Sequence, residues 1–174
     1  MFTLFYPHEY ADGVFSIDFE KLYSLGFRGI IFDIDNTLVF QDEDATKEVE
    51  ELFSFLHSLG FKTVILSNNG EERVRRFLKN IDSPFVCKAY KPFKRGYSKA
   101  LSIMNVKKEN AVFIGDQLFT DIFGANRSKI KSILVRPVSK DGAKLLLRRK
   151  FEEPILRSYQ RNAKYCHRFG NIFK

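Results

Sequence analysis

The sequence has few cysteines, no long hydrophobic run and no leader of the secretory type. Its two cysteines, Cys87 and Cys166, lie far apart and form no CxxC pair, so neither a disulfide framework nor a structural zinc site is supported. Charged residues interrupt each apolar stretch before it reaches the roughly 18 residues that a membrane span needs. The N-terminus lacks a basic region and a small-residue cleavage site. We therefore predict a cytoplasmic protein without a transmembrane segment. Peripheral contact at the inner face of the membrane is the alternative.

Proline and glycine are also too scarce for a collagenous or low-complexity chain, with five and ten residues of 174. Nineteen phenylalanines and seven tyrosines argue against intrinsic disorder. A content of 44% hydrophobic and 29% charged residues is typical of one compact globular domain.

Positive charge is concentrated near the C-terminus. Residues 140–174 hold ten Lys or Arg against three Asp or Glu, a net of +7, whereas the whole chain carries +8. The rest of the chain is thus almost neutral. Such an asymmetry favours an anionic partner for the C-terminal segment, either nucleic acid or phospholipid headgroups.

Apolar runs of strand length alternate with segments of helical period, which is the pattern of a parallel sheet with crossover helices. The pattern predicts a doubly wound α/β fold of about five strands in a single domain, 1–174, with its core at about 26–139 and a basic helical tail at 140–174. Four helices are expected between the strands, and Gly60 is expected to follow the end of the first. The predicted strands are Gly29 to Asp33, Lys62 to Ser67, Phe85 to Ala89, Ala111 to Asp116 and Lys131 to Val135.

The tail repeats apolar residues in steps of four, at Leu147, Phe151, Ile155 and Tyr159. Pro154 interrupts this pattern, so we expect a kink or two short helices. We favour packing of the apolar stripe on the sheet, and the alternative is a helix that lies on a membrane surface.

Three of the predicted strands end in polar residues. The first ends at Asp33, with Asp35 two residues on, the second ends at Ser67, and the fourth ends at Asp116 and leads to Asp121. Open α/β sheets bind ligands at the carboxyl ends of their strands, where these side chains would meet. A pair of carboxylates about 4 Å apart repels by roughly 4 kcal/mol at an effective dielectric of 20. The arrangement therefore implies a cation, and oxygen ligands without a nearby His or Cys favour Mg²⁺.

Four short segments occur in the order that is typical of the haloacid dehalogenase superfamily of aspartyl-phosphate phosphatases, which the chain resembles. They are Asp33-Ile34-Asp35-Asn36-Thr37-Leu38, Ser67-Asn68-Asn69, Lys91-Pro92 and Gly115-Asp116-Gln117-Leu118-Phe119-Thr120-Asp121. Tyr6-Pro7, the run from Ile17 to Leu22 and the run from Gly115 to Arg127 are further similar to the YqeG family of subfamily IIIA. That family is related to phosphatidylglycerophosphatases.

The resemblance implies a role for each of these residues. Asp33 would be the nucleophile, and Asp35 would protonate the leaving oxygen and then activate water. Lys91 would stabilise the charge on the phosphoryl oxygens, which Ser67 and Asn68 would bind. Mg²⁺ would be held by Asp33, by the backbone carbonyl of Asp35, by Asp116 and, directly or through water, by Asp121.

Two of these assignments have competitors. Ser67 is also a suitable cap for the helix that follows it. Lys88 and Lys94 lie near Lys91 in the sequence, and the Lys-Pro context alone selects Lys91.

The spacing of the four segments leaves no room for the cap domain that many members of the superfamily carry. An open site suits a bulky phosphomonoester, and the basic tail suits an anionic bilayer, so we predict a phospholipid headgroup as substrate, with phosphatidylglycerophosphate favoured. A nucleic-acid end phosphatase is the second enzymatic alternative. A non-catalytic scaffold that binds RNA or a ribosomal particle is the third.

Overall fold

In the computed structural model, residues 3–138 and 143–174 are described, the stretch 143–149 by its backbone alone. The described residues form one parallel sheet of six strands in the order β1-β6-β5-β2-β3-β4. The prediction of about five strands was therefore one short, because the first strand was missed. The strands are β1 (Glu9–Ala11), β2 (Gly29–Phe32), β3 (Lys62–Leu66), β4 (Phe85–Val86), β5 (Ala111–Gly115) and β6 (Lys131–Val135).

Six α-helices accompany the sheet within the described residues. They are α1 (Phe19–Ser24), α2 (Lys47–Ser58), α3 (Glu71–Phe77), α4 (Lys94–Met104), α5 (Phe123–Arg127) and α6 (Ala143–Gln160), and a π-helical turn, Leu118–Ile122, precedes α5. Local sequence explains the limits of α2. The Thr46 hydroxyl accepts a hydrogen bond from the amide of Val49 at 3.3 Å and so caps its N-terminus. Gly60 follows the C-terminus at a φ of +95°, a conformation that suits glycine.

The sheet is buried on both faces, because its side chains alternate between two apolar clusters. Ile30 and Phe32 of β2 belong to the cluster that contains α2 and α3, whereas Ile31 belongs to the cluster formed with α4 and α5. All four residues of β2 are fully buried. The central strands are thus packed on both faces, and the loops that leave their carboxyl ends start from this buried sheet.

The segment that separates the first two polar motifs contains α2 and β3, and the segment between the second and third contains α3 and β4. Residues 33–91 therefore include no inserted cap domain, as the spacing predicted. No helix among the described residues is both long and apolar enough to cross a bilayer.

The C-terminal segment differs from its predicted form. Helix α6 runs without interruption through Pro154, so two short helices are not formed. Ile155 and Tyr159 pack as expected, against the π-helical turn and β6. Phe151, however, is 65% exposed, and Glu152 is buried in its place. The side chain of Leu147 lies outside the described residues.

Beyond α6 the chain crosses to the opposite face of the sheet. Ile172 is fully buried in the cluster of α2 and α3, and its carbonyl accepts a hydrogen bond from the amide of Asp18 at 2.7 Å. The last residues are therefore tied to the start of α1.

Candidate active site

An open cavity of about 320 Å³ lies at the carboxyl ends of β2, β3 and β5. The observed strands end one residue before Asp33, Ser67 and Asp116, so these residues are the first of their loops. The parallel pairing of β2 with both β3 and β5 brings the three loops together. The residues that line the cavity are Asp33, Asp35, Asn36, Gln41, Ser67, Asn68, Asn69, Lys91, Gln117 and Thr120.

Lys91 is the cation of the site. Its Nζ donates to Oδ1 of Asp33 and to Oδ1 of Asp121, both at 2.7 Å, and all three side chains are at least 92% buried. The competing lysines, Lys88 and Lys94, are exposed on the surface. Of these three lysines, the structure places Lys91 at the cavity, and its role in the reaction stays a prediction.

Three carboxylates form a buried cluster. Oxygen atoms of Asp33, Asp116 and Asp121 lie within 4.8 Å of one another. The hydroxyl of the fully buried Thr37 donates to Oδ1 of Asp116 at 3.3 Å. The second oxygen of Asp121 accepts from the amide of Gln117 at 3.0 Å. A set of oxygen ligands at this spacing fits a hard divalent cation.

Burial and mutual repulsion act on the same cluster. Loss of hydration raises the pKa of Asp33 to about 6, with Lys91 opposing the increase and Asp121 adding to it. Burial alone would lower the pKa of Lys91, but Asp121 and Asp33 raise it above its ordinary value. Lys91 therefore stays protonated, and one ammonium group is shared between two carboxylates.

The carboxylate of Asp35 lines the same cavity but is held outside this cluster. One oxygen, Oδ1, accepts from Nη2 of Arg73 at 2.8 Å and from the amide of Asp42 at 3.0 Å. The other accepts from Nδ2 of Asn69 at 2.5 Å. Of the four predicted metal residues, the structure thus brings together the side chains of Asp33, Asp116 and Asp121 and keeps that of Asp35 apart.

The two predicted phosphate-binding residues differ in how their side chains are used. Ser67 is 1% exposed, and its hydroxyl accepts from the amide of Asn69 at 3.1 Å. Helix α3 is capped by Gly70, so Ser67 is not its cap. The side-chain amide of Asn68 pairs with the backbone of Lys91. The backbone N–H of Lys91 donates to Oδ1 of Asn68 at 2.6 Å, and Nδ2 of Asn68 donates to the carbonyl of Lys91 at 3.3 Å. Asn68 thereby fixes the segment that carries the site cation.

Arg73 is the site residue that sequence reasoning missed. Its Nη2 also donates to the carbonyl of Glu43 at 2.7 Å, and its Nε lies 3.3 Å from Oδ1 of Asp42. Arg73 therefore joins α3 to Asp35 and to the loop that follows Asp35. A possible signal was its position in the first turns of the helix that follows Ser67-Asn68-Asn69.

A family model of haloacid dehalogenase-like hydrolases matches residues 39–129. The chain is 42% identical over 159 residues to "Probable phosphatase YqeG" of Bacillus subtilis. This match covers 90% of this chain and 92% of that protein. The chain is also 26% identical over 163 residues to "Phosphatidylglycerophosphate phosphatase 1, chloroplastic" of Chlamydomonas reinhardtii. That match covers 87% of this chain and 61% of that protein.

Among solved structures, the fold is similar to that of the cobalt-bound deoxy-D-mannose-octulosonate 8-phosphate phosphatase of Haemophilus influenzae. The TM-score is 0.55 at 13% identity, and the match covers 80% of this chain and 92% of that chain. At this identity the likeness concerns the fold.

Proposed function

The chain belongs to the haloacid dehalogenase-like hydrolases and is a phosphoric monoester hydrolase, and from this premise we propose that it acts through an aspartyl-phosphate at Asp33. The observation that carries the proposal is the environment of that carboxylate. Asp33 lines an open cavity, lies 2.7 Å from Nζ of Lys91 and shares a three-carboxylate cluster. A nucleophile, a fixed cation and a metal-type ligand set thus meet at one point.

The reaction has two displacements. In the first, an oxygen of Asp33 forms a bond to phosphorus, the bond to the ester oxygen breaks, and Asp35 gives that oxygen its proton. In the second, Asp35 takes a proton from water as the water oxygen bonds to phosphorus, and Asp33 leaves as a free carboxylate. The products are an alcohol and inorganic phosphate, and both carboxyl groups return to their starting states.

The surrounding groups stabilise the charge on the phosphoryl oxygens. Lys91 supplies a positive charge, because its two carboxylate partners keep its amine protonated. Ser67 and the backbone amides that follow it would bind phosphoryl oxygens, while Asn68 holds Lys91 in place. The contacts of Lys91 with its two carboxylates and with Asn68 are formed before the substrate arrives, so little reorganisation is needed there.

We propose Mg²⁺ as the metal. Asp33, Asp116 and Asp121, with the backbone carbonyl of Asp35, would hold it, because hard oxygen ligands suit this ion. When bound, Mg²⁺ neutralises charge on the transferring phosphoryl group.

A phospholipid headgroup is the substrate class that we propose, and phosphatidylglycerophosphate is the favoured member. The cavity is open to solvent and residues 33–91 contain no cap, so a phosphate on a large lipid can reach Asp33. A relative that is 26% identical is named as a phosphatidylglycerophosphate phosphatase.

The test is release of phosphate from phosphatidylglycerophosphate in mixed micelles, with and without Mg²⁺. Oligonucleotides with 5′ or 3′ phosphates are assayed in parallel. Asp33→Asn should abolish turnover, whereas Asp12→Asn, at an exposed carboxylate paired with Arg136, should not. Preference for the oligonucleotides would refute the lipid substrate, and activity in a pure Asp33→Asn preparation would refute the nucleophile.

A further inference from the structure

The loop between β4 and α4 exposes two large aromatic side chains. Tyr90 is 68% exposed and Phe93 is 65% exposed. The amide of Phe93 donates to the carbonyl of Tyr90 at 2.9 Å, which closes a turn around Lys91-Pro92. The turn that sends Lys91 into the active site therefore presents an aromatic residue to solvent on either side of it.

These two side chains border an apolar groove of about 580 Å³. The groove is open to solvent, and its lining includes Val86, Cys87, Ala89 and Gly96. Exposed aromatic residues beside an apolar groove indicate an interaction surface.

The groove and the catalytic cavity share one wall. The amide of Lys88 donates to the carbonyl of Asn69 at 2.8 Å, and the amide of Ala89 donates to the carbonyl of Ser67 at 2.9 Å. The outer side of residues 87–90 therefore lines the groove, and the same segment is hydrogen-bonded to residues that line the cavity. A partner bound in the groove would be separated from the cavity by this one segment.

The charged residues that line the groove are all basic. Between Asp82 and Glu109 the sequence holds seven Lys or Arg and no Asp or Glu. Lys91 is buried in the active site, and the other six are exposed. Three of those six, Lys88, Arg95 and Lys99, line the groove itself. The surface is therefore complementary to a negatively charged partner.

We propose that Tyr90, Phe93, Lys88, Arg95 and Lys99 form a docking surface for an anionic phospholipid bilayer. Aromatic rings suit the depth of the headgroups, and basic side chains suit the lipid phosphates. The apolar residues in the lining of the groove favour lipid over nucleic acid, whose bases would find stacking partners only in the two exposed rings. Docking here would hold the catalytic cavity close to the bilayer, and the proposal rests on the phospholipid substrate proposed above. It places the membrane contact at this loop rather than at the basic C-terminal segment.

The test measures binding of the full chain to sedimented vesicles of phosphatidylcholine with phosphatidylglycerol, and to vesicles of phosphatidylcholine alone. The double variant Tyr90→Ser/Phe93→Ser should bind the anionic vesicles about tenfold more weakly or worse. Phe151→Ser is the matched control, because Phe151 is equally exposed but lies on α6. Its binding should equal that of the wild type.

Hydrolysis of p-nitrophenyl phosphate separates docking from chemistry. The double variant should keep wild-type turnover of this soluble ester, which also shows that it is folded. Unchanged vesicle binding by a double variant that remains active would overturn the docking surface and leave the phosphatase assignment intact. Loss of binding in Phe151→Ser alone would move the contact to α6 and also overturn it. Tighter binding of a single-stranded oligonucleotide than of anionic vesicles, lost in the double variant, would reassign the surface to nucleic acid.

Discussion

Replacing Lys91 with methionine should make the stability of the protein depend on a divalent cation. Methionine has a similar length but no charge, so it leaves Asp33, Asp116 and Asp121 clustered without the ammonium group that two of them share. Each contact of 2.7 Å is worth about 6 kcal/mol at an effective dielectric of 20, an attraction that the loss of lysine hydration partly offsets. We therefore expect the free energy of unfolding to fall by about 3 to 5 kcal/mol without metal.

Added Mg²⁺ should restore much of this loss. A ligand at a hundred times its dissociation constant stabilises the folded state by about 2.7 kcal/mol. The gain should be larger for Lys91→Met than for the wild type, because the variant cluster has lost its internal cation. Phosphatase activity should stay low in both conditions, since the metal does not replace the ammonium group at the substrate.

Urea unfolding followed by circular dichroism, with EDTA or with Mg²⁺, measures these changes. Lys99→Met, on the exposed face of α4, is the matched control and should stay within about 0.5 kcal/mol of the wild type. The electrostatic reasoning would be refuted if Lys91→Met were as stable as the wild type in EDTA. It would also be refuted if adding Mg²⁺ did not change the stability of the variant.

Three further predictions concern other parts of the chain. Arg73→Gln removes the contact that positions the Asp35 carboxyl, so turnover of an alkyl phosphate should fall about tenfold more than that of p-nitrophenyl phosphate, whose leaving group needs little protonation. An equal loss for the two esters would show that Arg73 does not position the acid. Burial, with help from two nearby cations, lowers the pKa of His8 to about 3. The unfolded chain therefore binds a proton at His8 more readily than the folded protein does. Wild-type stability should fall as the pH drops below 6.5. Between pH 6.5 and 4.5 the free energy of unfolding of His8→Asn, measured with urea, should fall by about 2 kcal/mol less than that of the wild type. Parallel curves of stability against pH for the two proteins would contradict this. In Gly124→Ala the new methyl group would collide with the buried Tyr97 hydroxyl, and thermal unfolding should show a loss of stability of about 1 to 3 kcal/mol. A variant as stable as the wild type would contradict this.

The central sheet could be predicted because β2, β3, β5 and β6 each contain at least three consecutive apolar residues. Strand β1 could not, since Glu9–Ala11 contains no such run and is defined by its pairing with β6. Glu9 is fully buried there, where its Oε1 accepts from the amide of Phe169 at 2.7 Å. That interaction spans 160 residues of sequence. Local pattern carries no information about a contact of this kind.

The buried face of α6 was misjudged because its apolar residues recur in steps of four. Four residues turn a helix by more than a full circle, so such a row drifts around the helix axis. The face that packs instead contains Glu152, Ile155 and Tyr159, spaced at i, i+3 and i+7. Glu152 is buried on this face because its Oε1 accepts from the amide of Leu118 at 3.1 Å, at the start of the π-helical turn.

Much of the candidate site could be predicted because parallel strands bring their carboxyl ends to one edge of the sheet. Asp33, Lys91, Asp116 and Asp121 meet there as expected. The position of the Asp35 carboxylate could not be predicted, because it depends on Arg73 and on the fold of the loop that contains Asp42. Both contacts are tertiary and have no regular spacing.

The most direct test of the central claim is to trap the proposed covalent intermediate. The wild-type protein is mixed with a phosphomonoester and Mg²⁺, quenched in acid within one turnover, and digested for peptide mass spectrometry. The account predicts one phosphoryl group on the peptide that contains Asp33, sensitive to hydroxylamine and missing in Asp33→Asn. Release of phosphate with no phosphorylated Asp33, or with the phosphoryl group on another residue, would contradict it.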